Sequence, residues 1–362
     1  MKKHPVKSLV LATRLSLSSM SFILLMAITV ALFAGGKTPT APQWPTSSKP
    51  VATPLSPPPA LSDDLSRFQG YDAVVITYTT AEAESLAAMF TPKYPIAQWY
   101  KYQYNVEEFI PLVTSSRAPF NDKRSTESYH TMALYFPIEI GNAKVLLMKS
   151  GLHLDTDGPQ CPIKNLIEVI AKTVNPKLFI TTGTAGGIGS NIHLGDVVIS
   201  NQVLFHCTGK FKNEPWANAN YTSFQIPQRA IDSIPDTLTQ ANAAKLAGAP
   251  VGSPRKNPQF IMGTIVTTDI FAFDDSTNYY GLQGLGNCCE MDDGIFGLVM
   301  QGFPNIAWCS VRNVSDPQIP NPNNNIKAAS KEADKIYTTY GGITTAASVV
   351  ATWSIINTMF NQ

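Results

Sequence analysis

The chain has 362 residues, of which 44% are apolar and 15% are charged, so it can bury a large core. Its formal net charge is +1 and it carries no basic stripe, which argues against a nucleic-acid partner. Its five cysteines follow no Cys-x-x-Cys or Cys/His spacing, so we interpret them as core or loop residues and expect no metal site.

Residues 1–35 have the pattern of a targeting segment. Basic residues precede an apolar run at 22–33, and small residues follow at 34–36. This order is typical of a secretory signal peptide. An uncleaved membrane anchor is the alternative, because residues 15–34 are just long enough to span a bilayer. Both interpretations predict an exported, periplasmic or extracellular protein that meets a membrane only through this segment.

A proline-rich stretch follows at residues 36–62, which contains eight prolines. Such a composition favours an extended, disordered linker rather than part of a core. The sequence therefore predicts that the folded domain is residues 63–362.

Strand and helix patterns alternate along this domain. The predicted strands are at residues 71–77, 132–136, 144–149, 178–182, 194–200, 263–269 and 306–312. The predicted helices are at residues 81–90, 162–173, 229–246, 291–301 and 325–360, the last with a potential break at Gly341 and Gly342. Residues 93–128 show no clear period and are interpreted as an insertion or lid. The alternation predicts an α/β fold, with a central sheet covered on both faces.

A glycine-rich loop closes the apolar run at residues 178–188. Gly183, Thr184 and Gly186 follow the buried strand directly. Ligands bind at the carboxyl ends of strands in open α/β sheets, so this loop is a candidate binding loop. The alternative is a tight turn without a ligand. A dinucleotide-binding loop is disfavoured, because the Gly-x-Gly start and the acidic residue about 20 positions later are both missing.

Acidic residues also fall at or just after the ends of predicted elements. They are Glu82, the group at 290–293, and Asp316. Carboxylates at one edge of a sheet converge on one cleft and are suited to general acid/base work. Taken singly, Glu82 is also explained as favourable charge in the first turn of a helix, and Asp316 as a turn residue before Pro317.

In combination, these segments resemble the nucleoside phosphorylase/nucleosidase superfamily, and within it the methylthioadenosine/S-adenosylhomocysteine nucleosidase branch. The resemblance covers residues 70–357 except 93–128. Its motifs are Lys149–Gly151, Thr182–Ile188, Leu194–Ile199, Glu290–Asp292 and Val311–Asp316. It implies a three-layer α/β/α sandwich with a central mixed sheet, no metal or organic cofactor, and a homo-oligomer.

The resemblance also implies roles for individual residues. Asp316 is expected to protonate, or hydrogen-bond to, N7 of a purine, which requires a carboxyl group kept protonated by its surroundings. Glu82 is expected to hold and deprotonate the attacking water, with Asp293 as the next candidate for the base. An oxocarbenium-like transition state is stabilised by nearby carboxylates.

The remaining expected residues bind substrate. Thr184 and the amides around Gly183 and Gly186 face the water or ribose, Met291 and Asp292 hold the ribose hydroxyls, and Phe271 stacks on the base. Glu290 and Ser315, within the same two motifs, complete the expected substrate-binding set.

The chain departs from the family pattern at two places. The family usually has Glu where this chain has Asp292, which puts the ribose contact in doubt. Phosphorylases also carry an Arg three residues before the loop hydroxyl, where this chain has Thr181. Without that guanidinium, phosphate loses a bidentate partner, so water is favoured as the nucleophile. Arg124 and Arg255 keep phosphorolysis open, because a lid or a neighbouring subunit can deliver a guanidinium.

We therefore expect an exported purine nucleosidase that binds a small-molecule nucleoside. The alternatives are a phosphate-dependent purine nucleoside phosphorylase and a nucleoside-binding protein without turnover.

Overall fold

The computed structural model describes residues 38–114, 131–249 and 254–361, so the predicted targeting segment at 1–35 lies outside the described residues. Eleven strands lie within the described residues. They are β1 (Pro50–Ala52), β2 (Ala73–Thr77), β3 (Tyr100–Tyr102), β4 (Ala133–Ile140), β5 (Ala143–Ser150), β6 (Leu178–Gly187), β7 (Val197–Phe205), β8 (Asn220–Thr222), β9 (Phe260–Thr267), β10 (Cys288–Glu290) and β11 (Ala307–Asp316).

Helices and short 3-10 turns connect these strands. The helices are α1 (Thr80–Phe90), α2 (Val106–Phe109), α3 (Pro162–Val174), α4 (Arg229–Asp232), α5 (Gln240–Ala243), α6 (Asp293–Met300) and α7 (Ile326–Phe360). The 3-10 turns are Thr46–Ser48, Ser66–Phe68, Ile96–Gln98, Asp236–Leu238 and Ala244–Leu246.

The strands form one mixed sheet in the order β1-β4-β5-β2-β6-β10-β9-β7-β11. Strand β11 also pairs with β6, in parallel, from Ala307 opposite Leu178 to Asp316 opposite Gly186. Five strands, β6, β10, β9, β7 and β11, therefore close into a ring. The sheet is mixed because β2, β5, β6 and β11 run parallel where they pair, whereas β7 meets β11 antiparallel.

Side chains alternate between two hydrophobic cores, one on each face of the sheet. Val74 and Ile76 of β2 lie in the core that includes α3 and α6, while Ala73 and Val75 lie in the core that includes α1 and α7. Successive strand residues point to opposite faces, so a strand buried on both faces has apolar residues throughout. The predicted layered α/β architecture is thus confirmed.

Some element predictions were wrong in their bounds. The helix expected at 229–246 is broken into short segments, since Pro235 begins a new turn after α4. In contrast, α7 continues through Gly341 and Gly342 as one 35-residue helix. It is long and apolar enough to cross a bilayer, but 83% of its most apolar window is buried inside the domain, as in a core helix.

Residues 38–55 contact the rest of the domain, which corrects the predicted disordered linker and the predicted start at Asp63. Strand β1 pairs with β4, with Pro50 opposite Ile140. The Trp44 ring lies 5.2 Å from the Trp353 ring, and the Trp353 indole N–H donates to the Ser48 carbonyl at 2.7 Å. The prolines are tolerated because an edge strand needs few of its N–H groups.

Candidate functional site

The site lies where parallel strands β2, β6 and β11 end at one edge of the sheet. A cavity of about 260 Å³ opens there. Nine of the ten predicted site residues line it: Glu82, Thr184, Gly186, Phe271, Glu290, Met291, Asp292, Ser315 and Asp316. The glycine-rich segment, predicted as a loop after the strand, is the last part of β6, and its residues Thr184 and Gly186 line the same cavity as the acids.

Gly183, the tenth, lies beneath the carboxylate of Glu82 instead of lining the cavity. A Cβ atom at this position would lie 2.5 Å from Glu82 Cδ, so only glycine lets the carboxylate approach the strand this closely. A Cβ atom at Gly186 would similarly lie 2.9 Å from Asp316 Oδ2. These glycines therefore make room for the chain's own carboxyl groups.

Glu82 is held by five hydrogen bonds. Its Oε2 accepts from the Thr77 hydroxyl at 2.7 Å and from the amides of Tyr78 and Thr79 at 3.0 and 2.9 Å. Its Oε1 accepts from both the amide and the hydroxyl of Thr184, each at 2.7 Å. The Thr184 amide, which we expected to face a ligand, therefore donates to Glu82 instead.

The position of Glu82 follows from a capping box at the start of α1. Thr79 is the N-cap, its hydroxyl accepts the Glu82 amide at 3.3 Å, and the Glu82 side chain returns to the Thr79 amide. Burial raises the pKa of Glu82, but the Arg312 guanidinium and the amides of Thr184 and Thr79 outweigh burial and lower it. Glu82 is therefore both a helix cap and an ionised carboxylate at the cavity.

Arg312 is the cationic centre of the site, and the sequence reasoning assigned it no role. It is 2% exposed, and its Nε and Nη2 donate to the two carboxylate oxygens of Asp293 at 2.7 and 2.5 Å. Its Nη2 lies 3.3 Å from Glu290 Oε2, and its Nη1 lies 3.8 Å from Glu82 Oε1. The available signal was a charged residue within a strand predicted to be buried, at residues 306–312.

The carboxyl groups of Asp293 and Glu290 lie next to the guanidinium of Arg312. The Asp293 carboxylate also accepts the Thr181 hydroxyl at 2.7 Å, and it does not line the cavity, which disfavours it as the alternative base. Glu290 Oε2 accepts the amides of Asp292 and Asp293 at 2.6 and 2.9 Å, and its Oε1 accepts the Thr267 hydroxyl. Although Glu290 lines the cavity, its oxygens are mostly committed to the protein.

Asp316 has the opposite electrostatic environment to Glu82. It ends β11, is 7% exposed, and its Oδ1 accepts the Ser315 hydroxyl at 2.9 Å. Burial raises its pKa to about 7, with only the Ser315 hydrogen bond opposing. The carboxyl group is therefore substantially protonated at neutral pH.

Asp292 contacts a loop, residues 151–158, that sequence reasoning did not connect with it. Its Oδ1 accepts the Leu154 amide at 2.9 Å, and its Oδ2 lies 3.5 Å from His153 Nδ1. Burial lowers the pKa of His153, but the hydrogen bond and charge of Asp292 outweigh burial and raise it. His153 lines the cavity and is a second site residue that sequence reasoning missed.

Aromatic residues form other parts of the cavity wall. Phe271 is 51% exposed and lines the cavity. The Tyr78 ring faces the guanidinium of Arg312 at 5.4 Å, and the Tyr337 hydroxyl lies 3.5 Å from the Thr79 hydroxyl. Neither Tyr78 nor Tyr337 belongs to a motif recognised in the sequence, because tertiary packing brings both residues to the cavity.

Residues 106–340 match the family model of the phosphorylase superfamily. Among curated relatives, a 5'-methylthioadenosine/S-adenosylhomocysteine nucleosidase of Mycobacterium bovis is 26% identical over 160 residues, or 41% of this chain and 62% of that protein. The nucleosidase of the same description from Shewanella pealeana is 28% identical over 185 residues, or 49% of this chain and 70% of that protein.

A solved nucleosidase structure of that description, from Helicobacter pylori, has the same fold. Its TM-score is 0.50 at 12% identity, and the match covers 80% of this chain and 100% of that one. The family match covers more than half of the chain and includes Thr184 and Asp316, but it begins after Glu82. The chain therefore belongs to the phosphorylase superfamily.

Proposed function

We propose that this protein hydrolyses the N-glycosidic bond of purine nucleosides and releases the free base and the sugar. The observation that carries the proposal is the pair of carboxyl groups at one cavity, Glu82 with a lowered pKa and Asp316 with a pKa raised to about 7. When the surroundings push the pKa values of two such carboxyl groups apart, the group with the lower pKa is assigned as the base and the group with the higher pKa as the acid. The names of the relatives favour 5'-methylthioadenosine and S-adenosylhomocysteine as the first substrates to test.

Asp316 is the proposed acid at the purine. Its protonated carboxyl group donates to N7, which neutralises the charge that builds up on the base as the bond to the sugar breaks. Gly186 leaves the space for the carboxyl group, and Ser315 Oγ holds Oδ1. The proton is thereby directed to the leaving group, and the exposed ring of Phe271 is the proposed stacking surface for the base.

Glu82 is the proposed residue that orients water. The transition state of glycoside hydrolysis resembles an oxocarbenium ion, so the sugar is already strongly electrophilic when water attacks. A weakly basic carboxylate is then sufficient, which agrees with the lowered pKa of Glu82. Thr184, bonded to Glu82 through both its amide and its hydroxyl, fixes the carboxylate toward the cavity.

Phosphorolysis is the alternative reaction, and the charges at the cavity disfavour it. Arg312 is the lining guanidinium among the described residues, and it is already paired with Asp293 and close to two further carboxylates. Arg255 is bonded elsewhere, to Asp196 at 3.3 Å. Arg124 lies outside the described residues. A phosphate dianion would thus meet the ionised carboxylate of Glu82 before a free guanidinium.

The decisive experiment is incubation of the purified protein with adenosine, inosine, 5'-methylthioadenosine and S-adenosylhomocysteine, with and without phosphate. We expect free base and free sugar at equal rates in both buffers. Base release only in phosphate, with a sugar 1-phosphate as product, would identify a phosphorylase. Tight binding by calorimetry without any free sugar after long incubation would identify a binding protein without turnover.

We further propose that the protein is exported and forms a homo-oligomer. The basic, apolar and small-residue order of residues 1–35 supports export, with either cleavage or retention as an anchor. The five cysteines are buried and unpaired, so they are shielded from an oxidising compartment. Cell fractionation with N-terminal sequencing tests export, and light scattering tests the oligomeric state.

A further inference from the structure

The carboxylate of Asp292 is bound on both oxygens by the loop at 151–158. The Leu154 amide donates to Oδ1 at 2.9 Å, and His153 Nδ1 lies 3.5 Å from Oδ2. The side chain of Asp292 is 8% exposed. This short acid is therefore already partly satisfied by the protein before any sugar arrives.

His153 is fixed from several directions. Its backbone amide donates to Asp157 Oδ2 at 2.5 Å, and its ring lies 6.1 Å from the ring of Tyr78. Its side chain is 16% exposed and lines the cavity. The imidazole is thus held in place at the cavity wall rather than free in solvent.

The contact with Asp292 decides which ring nitrogen is left for a ligand. A proton on Nδ1 directed at the carboxylate leaves Nε2 at the other edge of the ring. Among residues 38–114, 131–249 and 254–361, Nε2 of His153 has no hydrogen-bond partner. A sugar hydroxyl both donates and accepts, so it can pair with Nε2 in either protonation state.

We propose that His153, oriented by Asp292, is the residue that recognises a ribose hydroxyl at this cavity. The imidazole supplies the reach that a glutamate at position 292 would have supplied itself. This inference rests on the proposed nucleoside-binding function, but it does not require that the protein turns the nucleoside over. It makes His153 a specificity residue and Asp292 its positioning residue.

The test compares His153→Ala and Asp292→Asn with wild type, and uses His206→Ala as the matched control, since His206 lies outside the cavity lining. The measurements are calorimetric Kd values for adenosine, 2'-deoxyadenosine, 3'-deoxyadenosine and adenine, together with KM and kcat for any ligand that is cleaved. We expect His153→Ala to weaken adenosine about tenfold and adenine by no more than about twofold. We expect wild type to bind adenosine more tightly than one of the two deoxyadenosines, and His153→Ala should abolish that difference in Kd.

A rescue variant distinguishes recognition from damage to the fold. In the double variant His153→Gly with Asp292→Glu, the longer carboxylate reaches into the space left by the ring, and we expect adenosine affinity to recover relative to His153→Gly alone. An equal loss for adenosine and adenine in His153→Ala would overturn the proposal. So would a wild type that binds adenosine no better than adenine. A wild type that binds adenosine selectively but releases no base refutes only the hydrolytic function.

Discussion

Arg312 and Asp293 form a two-point ion pair in which Nε and Nη2 donate to Oδ2 and Oδ1 at 2.7 and 2.5 Å. The pair joins the middle of β11 to the start of α6, and the rest of the guanidinium lies near Glu290 and Glu82. A buried guanidinium is costly unless its partners satisfy it, and a planar fork suits two carboxylate oxygens. The ion pair therefore fixes the charge pattern of the cavity, in which Glu82 stays ionised and Asp316 lies apart.

Replacing the proposed acid tests its role in the transition state. We expect Asp316→Asn to abolish turnover while substrate binding stays within about tenfold, because the proton is needed mainly as the bond breaks. Single-turnover kinetics and calorimetry measure the two quantities. Equal losses of binding and rate would reduce Asp316 to a binding group.

Replacing the proposed base has a matched control on the same helix. Glu82→Gln removes the negative charge beside Thr184 and should stop hydrolysis, whereas Glu84→Gln alters an exposed residue of α1 and should leave the rate unchanged. The rate of base release is measured for both. Near-normal activity in Glu82→Gln would exclude it as the residue that activates water.

The pH dependence of stability follows from Asp316. Its pKa of about 7 in the folded protein lies above the ordinary value of 3.8, so the folded state binds this proton more tightly than the unfolded state. Its contribution is fully present below pH 4 and is lost as the pH rises through 7, by roughly 4 kcal/mol at most. Asp316→Asn should therefore gain stability relative to wild type between pH 5 and pH 8. Urea unfolding of both proteins at pH 5 and pH 8 measures the difference in their free energies of unfolding. A difference that is the same at the two pH values contradicts the prediction.

Loss of the central cation should damage both stability and activity. Arg312→Ala leaves Asp293 and Glu290 buried without their partner, at a cost of about 3–5 kcal/mol in the free energy of unfolding. Arg312→Lys keeps the charge but cannot bond both oxygens, so we expect a smaller loss of stability and a clear loss of activity. Chemical denaturation and the rate of base release measure these effects. Wild-type stability in Arg312→Ala would contradict this account of the buried charges.

The docked segment at residues 38–52 should stabilise the domain. We expect a chain that begins at Asp63 to melt below one that begins at Lys37, because the shorter chain loses β1 and the Trp44–Trp353 contact. Trp44→Ala should cost about 2–3 kcal/mol, whereas Val51→Ala, at a residue that is 53% exposed, should cost less than about 0.5 kcal/mol. Calorimetry of the four proteins checks the order, and equal melting temperatures for the two chain lengths would restore the linker interpretation.

Local periodicity was sufficient to locate most strands and helices of the domain. The hydrophobic runs of β2 and β5 and the helical spacing of α3 are short-range patterns, and they predicted these elements to within about two residues, whereas β6 continues through the glycine-rich segment to Gly187. It was not sufficient for the helix expected at 229–246, where Pro235 interrupts the chain, or for α7, where packing overrides Gly341 and Gly342.

The sequence by itself indicated that Glu82, the glycine-rich segment and Asp316 meet, because the carboxyl ends of parallel strands lie at one edge of a sheet. That argument does not extend to Glu290, because β10 runs antiparallel to β6. Tertiary structure alone decided what each charge contacts. The pairing of β11 with β6 carries Arg312 toward Asp293 and Glu82, and the loop at 151–158 brings His153 to Asp292. These contacts join residues far apart in the chain, so no short-range spacing encodes them, and they set which carboxyl group is ionised.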